Sequence, residues 1–188
     1  MEATVDIERY ADQGRCVAHI DGRVVFVRFA LPGERVRIEL DEPTNRNDRF
    51  WTGEVVEVLE PSPDRVEPLW PLAAPLAMGG GAGGADLIHV SLEGQERWKE
   101  ATLKDVMKRL GHVDLDDVPV YAMPGDEQAH GLHWRTRIEM VTDDEGRPSM
   151  RRRGTHVRVP IDTMPLATRA VLEVAEMNGV WAVSYTHL

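Results

Sequence analysis

The first 60 residues alternate between apolar and polar side chains with a period of two, which is typical of β-strands that bury one face. Stretches of this kind occur at residues 4–10, 16–20, 23–29, 34–40 and 50–59. An Asp21-Gly22 pair separates two of them, and such a pair supplies the positive φ angles of a tight hairpin turn. Five short strands joined by tight turns predict a small OB-like barrel over residues 1–60.

The same alternation predicts which side chains share a face of each strand. We expect Val36, Ile38 and Leu40 to point inward. In the other strands the pairs that should share one face are Val5 with Ile7, Val25 with Val27, and Val56 with Val58. If the valines of the third stretch point inward, Phe26 and Arg28 lie together on the outer face of the barrel.

The pattern changes after residue 60. Residues 61–86 are rich in proline and glycine, which helices and central strands do not tolerate, so we expect a loop. Helical spacing over 91–110 predicts a helix, with Ser91 as its N-cap and Gly111 ending it. Weaker patterns predict a strand at 118–121, a polar loop at 43–48, a β-hairpin over 133–161 and a helix at 165–177.

Together these elements predict a mainly β chain with an α+β second part. The expected organisation is a barrel at 1–60, a loop at 61–86, a helix at 87–112 and a partial central β-rich domain at 113–182. The last six residues, 183–188, resemble translated adapter sequence, and we expect them to be foreign to a truncated gene.

Composition narrows the functional classes. The net charge of −10 argues against a general polyanion binder, although residues 151–188 carry five basic and three acidic residues. Any contact with nucleic acid must therefore use local arginine patches. A single cysteine excludes an internal disulfide. No apolar run is long enough to span a membrane and no secretory signal is present, so we expect a cytoplasmic protein.

Two groups of side chains suit the binding of single-stranded RNA, which uses bases stacked on aromatic rings beside arginines. The barrel group comprises Phe26, Arg28, Phe29, Arg49, Phe50 and Trp51. The second group comprises Arg135, Arg137, Arg151, Arg152 and Arg153, all within the predicted hairpin. The competing interpretations are a core role for Phe26, and solvated arginines balanced by the acidic residues at 143–145.

Other chemistries find little support in the sequence. Gly79, Gly81 and Gly84 satisfy G-x-G-x-x-G, but prolines rather than a strand precede them. His89 has only Asp86 near it as a further ligand, which is too few for a transition metal. We expect Cys16 to be a small core residue, and His156 to be structural rather than catalytic.

Five separate segments carry a family resemblance. Residues 14–40 contain G-x-x-V-A-x-x-x-G-x-V-x-F-V followed by L-P-G-E-x-V, and this pattern resembles a TRAM domain, a small RNA-binding barrel. The later segments are Asp86-Leu-Ile-His89, His133-Trp-Arg-Thr-Arg137, Arg151-Arg-Arg-Gly-Thr-His-Val-Arg-Val-Pro-Ile-Asp162 and Met164-Pro-Leu-Ala167. In this order they resemble the TRAM-containing, S-adenosylmethionine-dependent RNA (uracil-5-)-methyltransferases, including the 23S ribosomal RNA enzymes.

The resemblance implies an N-terminal portion that binds RNA, as single strands or loops and most often ribosomal. The family's catalytic residues and its S-adenosylmethionine-binding domain would lie beyond this chain, so we expect no catalytic or cofactor-binding residue here. The family's iron–sulfur cysteines correspond to Trp70, Ala82, Ala85 and Met164. Because clusters need thiolates, we expect neither a cluster nor another metal, and packing around Trp70 and Leu72 in its place.

One alternative is a stand-alone TRAM-type RNA-binding or ribosome-associated adaptor. A weaker alternative is a protein-interaction barrel that binds no RNA. In each case we expect a monomer that contacts neither DNA nor a membrane.

Overall fold

The computed structural model describes residues 1–41 and 48–181. Two predictions, the foreign tail at 183–188 and all but the last residue of the polar loop at 43–48, lie outside the described residues. The chain divides into two compact units. The first unit comprises residues 1–80 and 85–122, and the second unit comprises residues 81–84 and 123–188.

The first unit is built on a six-stranded curled sheet. Its strands are β1 (Glu2–Asp6), β2 (Arg9–Tyr10), β3 (Arg15–Ile20), β4 (Arg23–Arg28), β5 (Arg35–Leu40) and β6 (Phe50–Glu60). Their order in the sheet is β1-β5-β6-β4-β3-β2, with a parallel pairing of β4 with β6 and antiparallel pairings elsewhere. The mainly β, OB-like fold predicted for this part of the chain is confirmed.

The turn between β3 and β4 forms where the sequence predicts it. Asp21 and Gly22 have φ angles of 49° and 78°, as a two-residue hairpin turn requires. This turn fixes the register of the hairpin, in which Ile20 faces Arg23 and Arg15 faces Arg28.

The core of the barrel contains most of the predicted inward positions. The buried apolar residues of the strands include Val5, Cys16, Ala18, Val25, Val27, Val36, Ile38 and Leu40. The prediction that Val56 and Val58 share one face of β6 is wrong, because Val58 packs against the core together with the fully buried Val55, whereas Val56 is only half-buried. A β-bulge explains the change of phase, since Arg37 pairs with Glu57 whereas Ile38 pairs with Val55.

A buried ion pair joins the barrel to the chain that leaves it. Glu34 is buried, and Arg65 donates to its two carboxylate oxygens at 2.6 and 2.7 Å. Arg65 also donates to the carbonyl of Phe29 at 2.6 Å, and Glu34 accepts from the backbone N–H of Leu31 at 2.8 Å. Each buried charge is therefore paired and hydrogen-bonded, as burial requires.

The helix α1 (Leu92–Gly111) packs against this barrel. Ser91 caps it as predicted, its hydroxyl accepting from the N–H of Gly94 at 3.1 Å. The helix ends one residue later than predicted, because His112 adopts the left-handed conformation that closes it. Trp98 is buried, stacks near Tyr10 with 4.8 Å between ring centroids, and donates from Nε1 to the carbonyl of Ala11.

Between β6 and α1 the chain is a loop, as predicted, and it includes two short 3-10 helices at Pro71–Ala73 and Leu76–Met78. The predicted strand at 118–121 is wrong, because these residues are irregular. The described residues contain no helix that is both long and apolar enough to cross a bilayer.

The second unit has much shorter elements. They are β7 (Val141–Thr142), β8 (Pro148–Arg151), β9 (Arg158–Pro160) and α2 (Arg169–Met177), with the three strands in the order β7-β8-β9. The hairpin is therefore only partly confirmed: residues 134–140 form no strand, and Arg135 instead makes an isolated parallel bridge with Ala167. The helix begins at Arg169 rather than at Pro165, because Thr168 is its N-cap.

Candidate nucleic-acid interface

The outer face of β4 carries the barrel group predicted from the sequence. Val25 and Val27 are fully buried, whereas Phe26 and Arg28 are half-buried on the opposite face, so the predicted alternation is confirmed. Phe50 from β6 is 49% exposed and meets Phe26 edge to face, with 5.3 Å between ring centroids. Two aromatic rings thus form one small outward-facing surface.

Arginines border this surface. The guanidinium of Arg15 lies 5.1 Å from the centre of the Phe26 ring, within the range of a cation–π contact. Its Nη2 also pairs with Asp12 at 3.2 Å, and Arg28 lies 3.8 Å from the carboxylate of Asp41. The positive charge beside the rings is therefore partly neutralised within the barrel itself.

The remaining members of the barrel group take different positions. Trp51 is half-buried against the core, with the guanidinium of Arg23 4.5 Å from the centre of its ring. Arg49 is exposed. Phe29 does not belong to the surface, because it is buried in the core with a φ of 61°.

Sequence reasoning missed Arg15 and Arg23. For Arg15 the hairpin turn contained the signal, whereas the contact of Arg23 with Trp51 depends on the long-range pairing of β4 with β6. A two-residue turn at Asp21-Gly22 places Arg15 opposite Arg28 and therefore diagonal to Phe26, within reach of a long side chain.

The second group of arginines gathers around residues 81–84. Arg135 donates from Nη2 to the carbonyl of Gly84 at 3.0 Å, and Arg153 donates from Nη1 to the carbonyl of Ala82 at 3.2 Å. The backbone of this loop also pairs with the 151–153 segment, since Gly83 donates to Arg151 at 3.2 Å. Four of the predicted cations therefore adjoin this loop, and two of these, Arg135 and Arg153, hold it by side-chain bonds. Arg137 is exposed.

The acidic turn does not neutralise this group. Asp143 pairs with Arg147 and Asp144 pairs with Arg158, each at 2.7 Å. Burial opposes the ionisation of Asp143, but hydrogen bonds from Arg147 outweigh it and lower the pKa of the carboxyl. Within residues 1–41 and 48–181, no carboxylate forms an ion pair with Arg135, Arg137, Arg151 or Arg152.

The positions that correspond to cluster cysteines are occupied by packed side chains. Trp70, Ala82 and Met164 are buried, and Ala85 is half-buried. Trp70 and Ala85 belong to the first unit, whereas Ala82 and Met164 belong to the second. In the described part of the chain, no cluster of three or more histidine, cysteine or acidic side chains could hold a metal ion.

The other candidate ligands are core or loop residues. His89 is buried beside the rings of Phe29 and Trp98 at 5.3 and 6.3 Å, and Nε2 lies 3.4 Å from the carbonyl of Ala30. Cys16 is buried as predicted, and burial followed by the charge of Glu34 raises the pKa of its thiol far above the ordinary value. Such a thiol is a poor nucleophile.

The glycine run does not resemble a phosphate-binding loop. Gly79 follows the 3-10 helix Leu76–Met78 rather than a strand, and α1 begins only at Leu92. A dinucleotide fingerprint needs a strand before the run and a helix opening at its end.

His156 is exposed.

Comparison with known proteins agrees with the fold. Residues 2–56 match the TRAM domain family. The chain is 73% identical over 181 residues to an uncharacterized RNA methyltransferase of Bifidobacterium longum, covering 96% of this chain and 41% of the relative. It is 34% identical over 187 residues to an uncharacterized RNA methyltransferase of Streptomyces coelicolor, covering 96% and 40%.

A third relative has a defined activity in its name. The chain is 39% identical over 170 residues to the 23S rRNA (uracil(1939)-C(5))-methyltransferase of Chromohalobacter salexigens, covering 86% of this chain and 32% of that protein. The chain thus spans about two fifths or less of the length of these relatives. It contains a TRAM domain and, along nearly all of its length, it is related to part of proteins named as RNA methyltransferases.

Proposed function

We propose that this chain is the RNA-binding portion of a longer S-adenosylmethionine-dependent RNA uracil-5-methyltransferase that acts on ribosomal RNA. Two findings support the proposal: the TRAM match at residues 2–56 and the relatedness to a ribosomal RNA methyltransferase. The observation that carries it is the outer surface of the barrel, where Phe26 and Phe50 lie beside Arg15.

This surface suits an unpaired base. Phe50 is half exposed and is positioned by its edge-to-face contact with Phe26, so little side-chain freedom is lost when a base stacks on it. Stacking on an aromatic ring does not depend on base identity, because every base has a π face. Arg15 and Arg28 can add contacts to phosphates, which position RNA without reading its sequence.

The charge of the barrel limits the affinity of this contact. Arg15 and Arg28 already have acidic neighbours in Asp12 and Asp41, so an RNA strand must compete with carboxylates for these cations. We therefore expect weak binding that uses two or three phosphates, and a slope of log K against log salt of about −1.4 to −2.1.

In this proposal the chain captures RNA and supplies no catalytic group. The reaction of the longer protein would use a cysteine that adds to C6 of a flipped uracil, followed by methyl transfer to C5. Cys16 does not fit that role, since it is buried and its raised pKa keeps the thiol protonated.

A matched pair of substitutions on β6 tests the barrel surface. Phe50 and Leu59 lie on the same strand and are 49% and 45% exposed, but only Phe50 belongs to the aromatic surface. We expect Phe50→Ala to weaken binding of a fluorescein-labelled 12-mer of uridine by about 5- to 150-fold, the usual value of one stacked base. Leu59→Ala should leave the anisotropy titration unchanged.

Equal affinities of the two variants would rule out the barrel surface as the site of RNA binding. If residues 1–188 fail to bind any single-stranded RNA at low salt, the RNA-binding proposal itself is wrong. The catalytic part of the proposal has its own assay, in which residues 1–188 are incubated with ribosomal RNA and labelled S-adenosylmethionine. We expect no labelled RNA, and turnover by this chain alone would contradict the assignment.

A further inference from the structure

An exposed tryptophan in the second unit is held on a fixed backbone. Trp134 is 57% exposed. On one side of it, His133 donates its N–H to the carbonyl of Pro165 at 2.9 Å. On the other side, Arg135 donates to Leu166 at 2.8 Å and accepts from Thr168 at 2.9 Å. The indole is therefore exposed without being part of an unconstrained loop.

An anchored arginine lies over this indole. The guanidinium of Arg135 is 4.9 Å from the centre of the Trp134 ring, and the same guanidinium donates to the carbonyl of Gly84 at 3.0 Å. One contact fixes the arginine to the loop and the other fixes the indole against the arginine. Since the indole remains more than half exposed, it can still stack on a planar ligand.

The surroundings of this pair favour an anion. Two neighbouring loop residues connect Arg135 to Arg151. The guanidinium of Arg135 donates to the carbonyl of Gly84, and the N–H of Gly83 donates to the carbonyl of Arg151. Arg151 is exposed, as is Arg137. Across the described ranges 1–41 and 48–181, Arg135, Arg137 and Arg151 form no ion pair. Arg15 and Arg28 of the barrel, in contrast, each have a carboxylate partner.

We propose that Trp134, with Arg135 over its ring, is a stacking site for a nucleobase of single-stranded RNA, with phosphate contacts from Arg137 and Arg151. This rests on the RNA binding proposed above and adds a second contact in a different unit. RNA fits better than an apolar protein surface, because phosphates neutralise the arginines whereas an apolar surface would bury them without partners. An aromatic ring beside arginines is the usual platform for an unpaired base.

The experiment uses residues 1–188 and the fluorescein-labelled 12-mer of uridine. We expect Trp134→Ala to weaken binding by about 5- to 100-fold, and Trp134→Phe to stay within about threefold of the parent because a stacking ring is retained. Tyr121→Ala is the matched control, since Tyr121 is an aromatic residue that is 79% exposed and, among the residues that the structure describes, no arginine lies over its ring. It should change the affinity less than twofold.

Two further measurements separate stacking from other causes. With a 4-thiouridine oligonucleotide, photo-crosslinking followed by peptide mass spectrometry should label the peptide that contains Trp134. Polyglutamate at equal charge should displace the oligonucleotide poorly. Full displacement would show that an acidic polymer satisfies the site, and it would overturn the base-stacking proposal.

The outcomes distinguish this site from the barrel. Loss of binding in Phe50→Ala but not in Trp134→Ala overturns the second contact and leaves the barrel proposal intact. Loss of binding in Trp134→Ala but not in Trp134→Phe, with unchanged far-ultraviolet circular dichroism for both variants, supports it. If Trp134→Ala and Trp134→Phe lose RNA affinity to the same extent, stacking is overturned, since the phenylalanine ring should substitute for the indole. If the parent chain binds no RNA, both proposals are wrong.

Discussion

The two units of this chain are stabilised in different ways. The first unit has strands of up to eleven residues and a continuous apolar core to which α1 contributes Trp98. The second unit has strands of two to four residues, and its arginine side chains donate to the main-chain carbonyls of residues 82 and 84. Long ladders and an extended apolar core support the first unit, whereas the second combines a few buried apolar side chains such as Met164 and Leu166 with polar side chains bonded to a loop.

The units also use their charges differently. The first unit contains 23 acidic and 14 basic residues, and the second contains 9 and 8. Arginines of the barrel such as Arg15, Arg28 and Arg37 lie within ion-pair distance of carboxylates, whereas Arg135 bonds to a carbonyl and retains its full charge. Net charge alone therefore misjudges this chain, because its available cations are concentrated in the unit that is nearly neutral.

Arg65→Met should have the largest effect, because it leaves the buried carboxylate of Glu34 without its cation. We expect the unfolding free energy of the first unit, measured by urea denaturation, to fall by about 3–5 kcal/mol. The control is Arg37→Met, whose exposed pairs with Glu2 and Glu57 are worth less than about 1 kcal/mol. Similar losses in both variants would mean that the buried pair has no special role.

Arg135→Ala tests whether side chain to carbonyl bonds support the second unit. The variant loses the charged donor to Gly84, and we expect a cost of about 1.5–3 kcal/mol. Hydrogen exchange of the Gly83 amide, which donates to Arg151, should become correspondingly faster. Arg137→Ala serves as the control, since Arg137 is exposed and its removal should cost less than about 0.5 kcal/mol.

Cys16 should make the stability of the barrel depend on alkaline pH. Its folded pKa is raised by burial and then by Glu34, so the protonated thiol stabilises the folded state. This contribution is fully present below the unfolded pKa of about 8.5 and is lost as the pH rises above it, with a slope that approaches about 1.4 kcal/mol per pH unit.

Urea titrations between pH 8.5 and 9.5 test this dependence. In this pH range Tyr10 stays protonated, because burial raises its pKa as well. Cys16→Ala should remove the slope. A native thiol that reacts as fast with iodoacetamide as the unfolded one would contradict the burial of Cys16.

The helix caps give the smallest effects. Ser91 accepts from Gly94 at 3.1 Å in α1, whereas Thr168 accepts from Val171 at 3.4 Å in α2. Ser91→Ala should cost about 1 kcal/mol, and Thr168→Ala less than half of that because its bond is longer. Amide exchange in the first turn of each helix measures the difference, and a larger cost in α2 would reverse the ranking.

Local rules predicted the barrel well because they apply at short range. The Asp21-Gly22 turn, the alternation in β4 and β5 and the Ser91 cap depend on neighbouring residues, and all appear in the structure. The inward position of Val55 was not predictable, because the bulge opposite Arg37 and Ile38 depends on pairing between separate strands.

The second unit was harder to predict for the same reason. The alternation at 134–140 indicates a strand, but Arg135 pairs with Ala167 instead, and this long-range partner replaces the expected neighbour. For the candidate site, the sequence identified Phe26, Phe50 and the arginine group. It could not show that Arg135 and Arg153 donate to loop carbonyls, since those bonds join residues more than 50 positions apart.

The packing of Trp98 has a consequence for how such a barrel can pass between genes. The TRAM match ends at residue 56, yet the core includes Val90 and Trp98, and the indole nitrogen donates to Ala11. If the strands alone were copied into another gene, Tyr10 and the apolar end of this core would be exposed to water, because Trp98 covers them. The structural module here is therefore the barrel together with the helix that closes its core, and a boundary drawn at the end of the TRAM match falls inside it.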